Sequence, residues 1–369
     1  MPIKMGLLYL RCLDAYSSNS YIIKMERRIF LKTSAFAGLG AMLAAENLRS
    51  QPITAQAPVK IGIIGLDTSH SPAFAKLLNS GEEAAYSGFR VVAAYPYGSR
   101  DIKECVDRIP GYQKEFEEMG IEITSSVEEL VNKSDVVLLE TCDGRPHLEQ
   151  SIPVIRAKKP MFIDKPIAAS LADTIAIFEL SAKNKVPVFS SSSLRYMSSV
   201  KEVVNGKIGN VIGADTYSPA TIEKTHPDLF WYGIHGVEPL FAVMGTGCKS
   251  ISRTYTENTD VCVGLWNDGR IGTFRGTRSG RSEFGGYVYG NRGNMVLGPW
   301  DGYKPLLDEI IQFFKTERAP VQPEETIEIF AFMEAADVSK NNGGKAVLIE
   351  EIMDKARIEA KTMMTKYSF

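Results

Sequence analysis

The sequence predicts an α/β protein: a doubly wound parallel sheet, followed by an α+β region with an open, mostly antiparallel sheet. From residue 59 to residue 190, short apolar runs rich in β-branched residues alternate with helical patterns. Such alternation is typical of parallel strands joined by crossover helices. From residue 209 to residue 290, strand patterns follow one another at hairpin spacing. A chain of 369 residues is long enough for two hydrophobic cores.

The first predicted strand covers residues 59–66 (VKIGIIGL), which read as a buried parallel strand ending near a glycine. A tight turn and a helix over residues 73–78 follow, with Ser71 as the predicted N-cap and Pro72 at the first helical position. Further strands are predicted over residues 90–95, 121–124, 135–141, 161–163 and 186–190, and helices over residues 104–119, 127–132, 147–157 and 171–184. Ligands of such sheets bind at the carboxyl ends of the strands.

The second half contains five predicted strands, over residues 209–217, 250–256, 261–266, 271–276 and 286–290. Asn267-Asp268-Gly269 predicts a hairpin turn between the third and fourth of these strands. Amphipathic helices are predicted over residues 306–315 and 324–340. We therefore expect a first domain over residues 58–190 and a second over residues 191–369.

Residues 1–57 are predicted to be an export signal and linker. Glu26-Arg27-Arg28-Ile29-Phe30-Leu31-Lys32 precedes an uncharged stretch, residues 33–45, that is too short to span a bilayer. The paired arginines resemble the twin-arginine export motif. They predict transport by the twin-arginine machinery to a periplasmic or other extracytoplasmic location, with Met25 as a candidate true start. A basic amphipathic helix and a retained membrane anchor are the alternatives.

Composition excludes some partners. The formal net charge is −2, so no basic excess favours binding to nucleic acid. The five cysteines include no CxxC pair, and no metal site is predicted. Disulfides remain an open alternative because spacing does not assign them.

Residues 135–166 (DVVLLETCDGRPHLEQSIPVIRAKKPMFIDKP) carry the most specific motif. An apolar strand is followed by Thr141, a helix opens at His147, and Asp164-Lys165-Pro166 follows the next strand. In this order and spacing the segment resembles the Gfo/Idh/MocA oxidoreductases, relatives of glucose–fructose oxidoreductase and inositol dehydrogenase. The resemblance runs from residue 59 to the C-terminal helix. It implies a Rossmann-type dinucleotide-binding domain, a substrate domain whose sheet also mediates homo-oligomer contacts, and an NAD- or NADP-dependent enzyme.

The resemblance also implies roles for single residues. It places Lys165 at the nicotinamide and at the substrate carbinol, where the ammonium group can donate to the substrate oxygen. Thr141, His147 and Asp164 are then expected at the cofactor, with His147 positioning its loop rather than taking part in chemistry.

The glycine fingerprint after the first strand departs from the family pattern. It reads Gly65-Leu66-Asp67-Thr68-Ser69-His70, so only the first glycine is present. A carboxylate about 4 Å from a phosphate charge costs about 4 kcal/mol at an effective dielectric of about 20. The phosphates could shift to Thr68 and Ser69, His70 could offset Asp67, the dinucleotide site could be lost, or Asp67 could only shape the turn. Ser99 and Arg100 after the second strand leave NAD and NADP open.

Residues 230–238 (FWYGIHGVE) carry the other half of the implied site. His235 matches the family's histidine and is a candidate general base for a sugar hydroxyl. Glu238 matches a later acid and is expected to orient His235, while Trp231 replaces the family's aspartate. On one helix Trp231, His235 and Glu238 would share a face. The alternative is a core helix with one satisfied histidine.

Substrate contacts are expected from Trp231 and Tyr232 and from Arg195 and Tyr196, which follow a serine run. The leading hypothesis is oxidation of a CH–OH group of a sugar or polyol with a tightly held NAD(P), since an exported protein meets no soluble nicotinamide pool. A second hypothesis is glycoside cleavage, in which bound NAD drives oxidation and elimination. A third is a cofactor-free sugar-binding or non-redox protein of the same fold, which Asp67 and His70 favour.

Overall fold

The computed structural model describes residues 57–281 and 283–367, which belong to one compact unit. The predicted export signal, including Arg27 and Arg28, lies outside the described residues. Within the described part of the chain, no helix is long and apolar enough to cross a membrane.

The first sheet consists of six strands, which all pair in parallel. They are β1 (Val59–Ile64), β2 (Phe89–Tyr95), β3 (Glu122–Ile123), β4 (Val136–Leu139), β5 (Met161–Asp164) and β6 (Val188–Ser191). The strand order β3-β2-β1-β4-β5-β6 confirms the predicted doubly wound sheet. The order reverses between β1 and β4, which is where such sheets open a crevice for ligands.

Helices cover both faces of this sheet, because alternate residues of each strand point to opposite sides. They are α1 (His70–Asn79), α2 (Lys103–Val106), α3 (Ile109–Glu118), α4 (Val127–Lys133), α5 (His147–Arg156) and α6 (Leu171–Lys183). The single helix predicted over residues 104–119 is therefore two helices. Pro110 lies in the first turn of α3, a position where proline opens a new helix.

The turn after β1 differs from its prediction in one detail. Helix α1 begins at His70, so Ser71 is not its N-cap. The Ser71 hydroxyl instead donates to the carbonyl oxygen of Gly65 at 2.7 Å. Gly65 has a φ of +91°, and a Cβ there would lie 2.6 Å from the Thr141 backbone. The glycine thus lets the turn after β1 pack against the end of β4.

The second sheet has seven strands in the order β12-β11-β7-β10-β9-β8-β13. They are β7 (Val211–Pro219), β8 (Cys248–Tyr255), β9 (Thr259–Trp266), β10 (Ile271–Thr277), β11 (Gly285–Gly290), β12 (Gly293–Leu297) and β13 (Val347–Leu348). Strands β7 and β10 are parallel and the other neighbours are antiparallel, which confirms a mostly antiparallel sheet. Gly269, with a φ of +88°, closes the predicted β9–β10 hairpin. Strands β12 and β13 were not predicted.

The described residues also contain five further α-helices: α7 (Ser198–Val204), α8 (Ile234–Met244), α9 (Lys304–Thr316), α10 (Pro323–Asn341) and α11 (Ile349–Met364). Helices α8 and α10 bury the second sheet, and Phe241 of α8 packs against both Trp266 and Phe332. Helix α9 returns to the first sheet, where Phe313 packs against Phe189 of β6.

Candidate functional site

A cavity of about 440 Å³ lies at the carboxyl edge of the first sheet and is lined by residues from both halves of the chain. The first half contributes Thr68, Ser69, His70, Glu104, Cys105, Arg108, Cys142 and Lys165, and the second half contributes Ser193, Leu194, Pro219, Thr221, Trp231, Tyr232, His235, Phe284, Trp300 and Tyr303. The volume is in the range of small-molecule sites. The cavity therefore brings together Lys165 and His235, which lie far apart in the sequence.

Lys165 reaches the cavity because it directly follows β5, which ends at Asp164. Its Nζ lies 4.0 Å from Asp164 Oδ2, and its side chain is only 13% exposed. Because the ammonium group is held at a strand end and faces the cavity, it can donate a hydrogen bond to a bound oxygen.

His235 lies in the first turn of α8 and is held by a side chain that directly follows β6, the last strand of the first sheet. Its Nδ1 is 2.9 Å from the hydroxyl of Ser192, and its ring packs edge-on against Tyr232 at 4.9 Å. Burial, followed by the nearby charges of Lys165 and His70, lowers the pKa of His235 well below its ordinary value. The ring is therefore neutral at neutral pH, as a proton acceptor must be.

The prediction that Glu238 orients His235 is corrected by these contacts. Glu238 Oε1 accepts hydrogen bonds from the Ser191 hydroxyl at 2.8 Å and from Arg195 Nε at 2.7 Å. The neighbouring serine, Ser192, holds His235 instead. Ser191 ends β6 and Ser192 directly follows it, and side chains alternate in direction along an extended chain, so the two serines serve different partners.

Arg195 and Tyr196 also differ from the prediction that they bind substrate in the cleft. The Arg195 guanidinium donates to Glu238 and Glu325, and its side chain is 11% exposed. Both residues line a different cavity, together with Phe241. Arg195 therefore forms ion pairs with α8 and α10, and both Arg195 and Tyr196 lie outside the wall of the cavity that contains Lys165.

Trp231 lies in the cavity wall, but not on the predicted helical face, because α8 begins only at Ile234. Its ring packs against His226 at 5.0 Å, and His226 Nε2 lies 3.3 Å from Asp143 Oδ1. Tyr232 lines the cavity as predicted.

Three further aromatic side chains of the wall were missed by sequence reasoning: Phe284, Trp300 and Tyr303. The Tyr303 hydroxyl is 3.2 Å from the Ser69 hydroxyl, and Trp300 Nε1 donates to Ser193 at 3.1 Å. Phe284 directly precedes β11, and Trp300 and Tyr303 lie in the loop between β12 and α9. Loops have no hydrophobic periodicity from which these residues could have been predicted.

Asp67 is completely buried in the turn after β1. Its Oδ2 accepts from the backbone N–H of Ser99 at 2.8 Å, and its Oδ1 accepts from that of Cys142 at 3.0 Å. A Cβ on Gly98 would lie 2.4 Å from this carboxylate. Burial is the main cause that raises the pKa of Asp67, against these two hydrogen bonds. The carboxylate thus joins the loops that follow β2 and β4.

A disulfide between Cys105 and Cys142 reinforces the same contact. Cys105 is in α2, after β2, and Cys142 follows β4, so the bridge spans the end of β1, which lies between those strands. The Cys142 sulfur is 3.5 Å from Asp67 Oδ2.

Thr141 and His147 are both buried beneath the cavity. The two ring nitrogens of His147 lie 2.8 Å from the carbonyl oxygen of Thr141 and 3.1 Å from that of Ile167. The Thr141 hydroxyl donates to Gln150 at 2.9 Å. These contacts support the interpretation that His147 positions the loops after β4 and β5.

His70, Glu140 and Asp164 form a buried group at the ends of β1, β4 and β5. His70 Nδ1 lies 2.8 Å from Asp164 Oδ2 and 3.9 Å from Glu140 Oε2. Glu140 was not singled out in the sequence, although an acidic residue at the end of an apolar strand (VVLLE) is a signal that could have found it.

Comparison with known proteins identifies the first part of this fold. Residues 59–192 match the model of the GFO_IDH_MocA family, described as an oxidoreductase family with an NAD-binding Rossmann fold. Over these residues, the chain has the fold of that family.

Two curated relatives align with part of the chain. The uncharacterized oxidoreductase YhhX of Escherichia coli is 24% identical over 140 residues, which cover 34% of this chain and 40% of that protein. An inositol 2-dehydrogenase of Salmonella typhimurium is 22% identical over 217 residues, which cover 56% of this chain and 61% of that enzyme. The chain thus aligns with about half of the length of these relatives.

Solved structures extend the likeness to both sheets. A probable dehydrogenase from Thermotoga maritima has a TM-score of 0.65 and 18% identity, covering 80% of this chain and 100% of that one. Myo-inositol dehydrogenase from Lactobacillus casei, in complex with NAD(H) and myo-inositol, has a TM-score of 0.62 and 15% identity, covering 79% of this chain and 96% of that one. At these identities the likeness shows the shared fold.

The turn after β1 does not fit the pyrophosphate that the family description implies. In a Rossmann fold, a glycine lets the pyrophosphate approach the backbone of this turn. Here the residue at the position of the second glycine is Asp67, whose buried carboxylate accepts from the N–H groups of Ser99 and Cys142. A negative charge in this turn opposes a phosphate group.

Proposed function

We propose that the protein binds a sugar or polyol in the cavity and acts on it by proton transfer, without a dinucleotide in the turn after β1. The proposal rests on one arrangement of residues. Lys165 and His235 face the same cavity, while a buried carboxylate, Asp67, lies in the turn after β1 where a dinucleotide-binding protein has a glycine. The function is the non-redox use of a dehydrogenase fold, which is one of the three hypotheses drawn from the sequence.

The cavity wall supports a carbohydrate. Five aromatic side chains line it: Trp231, Tyr232, Phe284, Trp300 and Tyr303. Aromatic rings offer flat apolar surface to the C–H face of a sugar, while hydroxyl and N–H groups fix its orientation. Several of the matched proteins are named as inositol dehydrogenases, and inositol is a polyol.

The two ionisable side chains have complementary roles in this proposal. His235, kept neutral by burial and fixed by Ser192, accepts a proton from a substrate hydroxyl. Lys165 donates a hydrogen bond to an oxygen of the substrate and stabilises negative charge that develops there.

NAD(P)-dependent oxidation of a CH–OH group is the second candidate, and the match of residues 59–192 favours it. Glycoside cleavage through oxidation and elimination belongs with this candidate, because it also needs the dinucleotide. Both require the pyrophosphate to follow a path that avoids Asp67 and the disulfide.

The test begins with the full chain, purified, denatured and examined by mass spectrometry for released nucleotide. We expect none, and no binding of added NAD(H) or NADP(H) by calorimetry. A panel of hexoses and polyols that includes myo-inositol should contain a ligand whose affinity falls at least about tenfold in Trp231→Ala. Tyr97→Ala, which removes an exposed ring outside the cavity wall, is the matched control and should leave the affinity unchanged.

Nucleotide released in equal amount to protein would establish the second candidate instead. An empty protein that binds no member of the panel would contradict both candidates. Where a ligand is found, its conversion without nucleotide to a product of the same oxidation state would identify the non-redox reaction.

A further inference from the structure

We propose that His70, Glu140 and Asp164 bind a divalent transition-metal ion at the base of the cavity. This site goes beyond the proposed sugar chemistry and does not depend on it. The spacing of the cysteines predicted no metal site, and these three residues share no sequence motif. The fold alone brings them together.

Three adjacent strands supply the ligands. His70 opens the helix that follows β1, Glu140 directly follows β4, and Asp164 ends β5. These strands are neighbours in the sheet, so their carboxyl ends converge. One imidazole nitrogen and two carboxylate oxygens lie within 4.8 Å of one another, with the His70 nitrogen facing both acids.

The two carboxylates lack the partners that buried acids require. Both side chains are 0% exposed, and within residues 57–281 and 283–367 their oxygens have no hydrogen-bond donor in suitable geometry. His70 Nδ1 is 2.8 Å from Asp164, yet it is also without an aligned hydrogen bond there. Burying polar groups in this state is costly, and such exceptions indicate a missing ligand.

Lys165 does not supply the missing partner. Its Nζ is 4.0 Å from Asp164 Oδ2, beyond hydrogen-bond distance, and one ammonium group faces two acids. Asp67, buried a few residues before His70, provides the contrast, because two backbone N–H groups satisfy its carboxylate. Glu140 and Asp164, by contrast, receive no aligned hydrogen bond from the residues described.

The donor set selects the kind of ion. One imidazole and two carboxylates suit zinc, manganese or iron, whereas magnesium and calcium prefer oxygen ligands alone. Three protein ligands leave a coordination position open, as in catalytic metal sites. Because His70 lines the cavity, a water or a substrate oxygen could fill that position beside Lys165. The ion would then polarise the same oxygen that Lys165 contacts.

The experiment measures metal binding directly. The full chain, without a histidine tag or reductant, is dialysed against a chelator and titrated with Zn²⁺ and with Mn²⁺ by calorimetry. We expect one ion per chain, and Co²⁺ should give a visible absorption spectrum of a protein-bound ion. Reductant is omitted so that Cys105 and Cys142 remain a disulfide and offer no thiolate beside Asp67.

Glu140→Gln and Asp164→Asn should each weaken binding at least about 100-fold, since even partners outside the ligand set typically change metal affinity 10–100-fold. Asp67→Asn is the matched control: it removes a neighbouring buried carboxylate outside the ligand set and should retain one ion per chain. A thermal midpoint of metal-free Glu140→Gln at or above that of the wild type shows that this variant is folded.

No binding of either ion would overturn the proposal and mean that a proton, rather than a metal ion, neutralises this group. Binding that Glu140→Gln and Asp164→Asn leave unchanged would also overturn it, because the ion would lie elsewhere. Neither result bears on sugar binding, which is measured separately with Trp231→Ala. A failure of the metal site and a failure of the proposed function are therefore distinguishable.

Discussion

Two buried groups of charged side chains differ in how completely they are paired. In the second half of the molecule, the fully buried Arg253 donates from Nε to Asp260 at 2.9 Å, from Nη2 to Asp228 at 2.8 Å, and from Nη1 to Asp337. At the edge of the first sheet, Glu140 and Asp164 are just as buried, but no donor among the residues described makes an aligned hydrogen bond to either carboxylate.

This difference distinguishes a group that only stabilises the fold from a group that is available to bind a ligand. All three guanidinium nitrogens of Arg253 contact a carboxylate, so the group joins β8, β9 and α10 to one another. The acids beside His70 retain their capacity to bind a ligand, and His70 itself lines the cavity. Incomplete pairing, rather than buried charge itself, marks the candidate site.

Breaking the paired group should have the largest effect. Arg253→Ala removes a buried guanidinium that pairs with three acids, and we expect the free energy of unfolding to fall by about 3–5 kcal/mol. Urea denaturation monitored by circular dichroism measures this change. Arg270→Ala, which removes an arginine paired with Asp268 in the exposed β9–β10 turn, should have far less effect. Equal effects of the two substitutions would contradict the structural role of complete pairing.

The same comparison can be made within the first sheet, because Asp67 is a buried acid whose carboxylate oxygens do accept hydrogen bonds. Asp67→Ala removes the acceptor of the Ser99 and Cys142 N–H groups, and we expect a loss of about 1–3 kcal/mol in the free energy of unfolding. Asp67→Asn keeps one acceptor oxygen and should lose less. A stabilising effect of Asp67→Ala would mean that the cost of burying the charge exceeds the value of its hydrogen bonds.

The smallest expected effect comes from His235, which burial keeps neutral. Burial and the charges of Lys165 and His70 lower its pKa, so the unfolded chain binds a proton that the folded chain does not. The neutral ring therefore contributes stability above about pH 6.5 that is lost as the pH falls toward the lowered pKa. Between about pH 7 and about pH 5.5 the wild type should lose about 1 kcal/mol more than His235→Gln. Parallel pH curves would exclude this linkage.

Local patterns predicted most of the fold. The apolar run before Gly65 and the run before Thr141 both became central strands, and Asn267-Asp268-Gly269 became a hairpin turn. These elements depend on periodicity and turn chemistry, which a sequence displays directly. The helix start at Ile234 was missed because Trp231 continues an apolar pattern through the preceding turns.

The site was only partly predictable, because its contacts join distant strands. The resemblance indicated Lys165 and His235, and both line the cavity. It predicted that Glu238 contacts His235. In the structure Ser191 contacts Glu238 and Ser192 contacts His235, because the two serine side chains point in opposite directions. The partners of Asp67 lie 32 and 75 residues away, and the convergence of Glu140 with His70 follows from strand order, which no local pattern contains.

The return of α9 to the first sheet limits how the molecule can be divided. The residues of α9 that face inward, Leu306, Leu307, Ile310 and Ile311 among them, share a hydrophobic core with Ile61 and Phe74. One face of the first sheet is therefore completed by a segment more than a hundred residues beyond its last strand, β6 (Val188–Ser191). The two halves are not modules that recombination could exchange at a single crossover near residue 190.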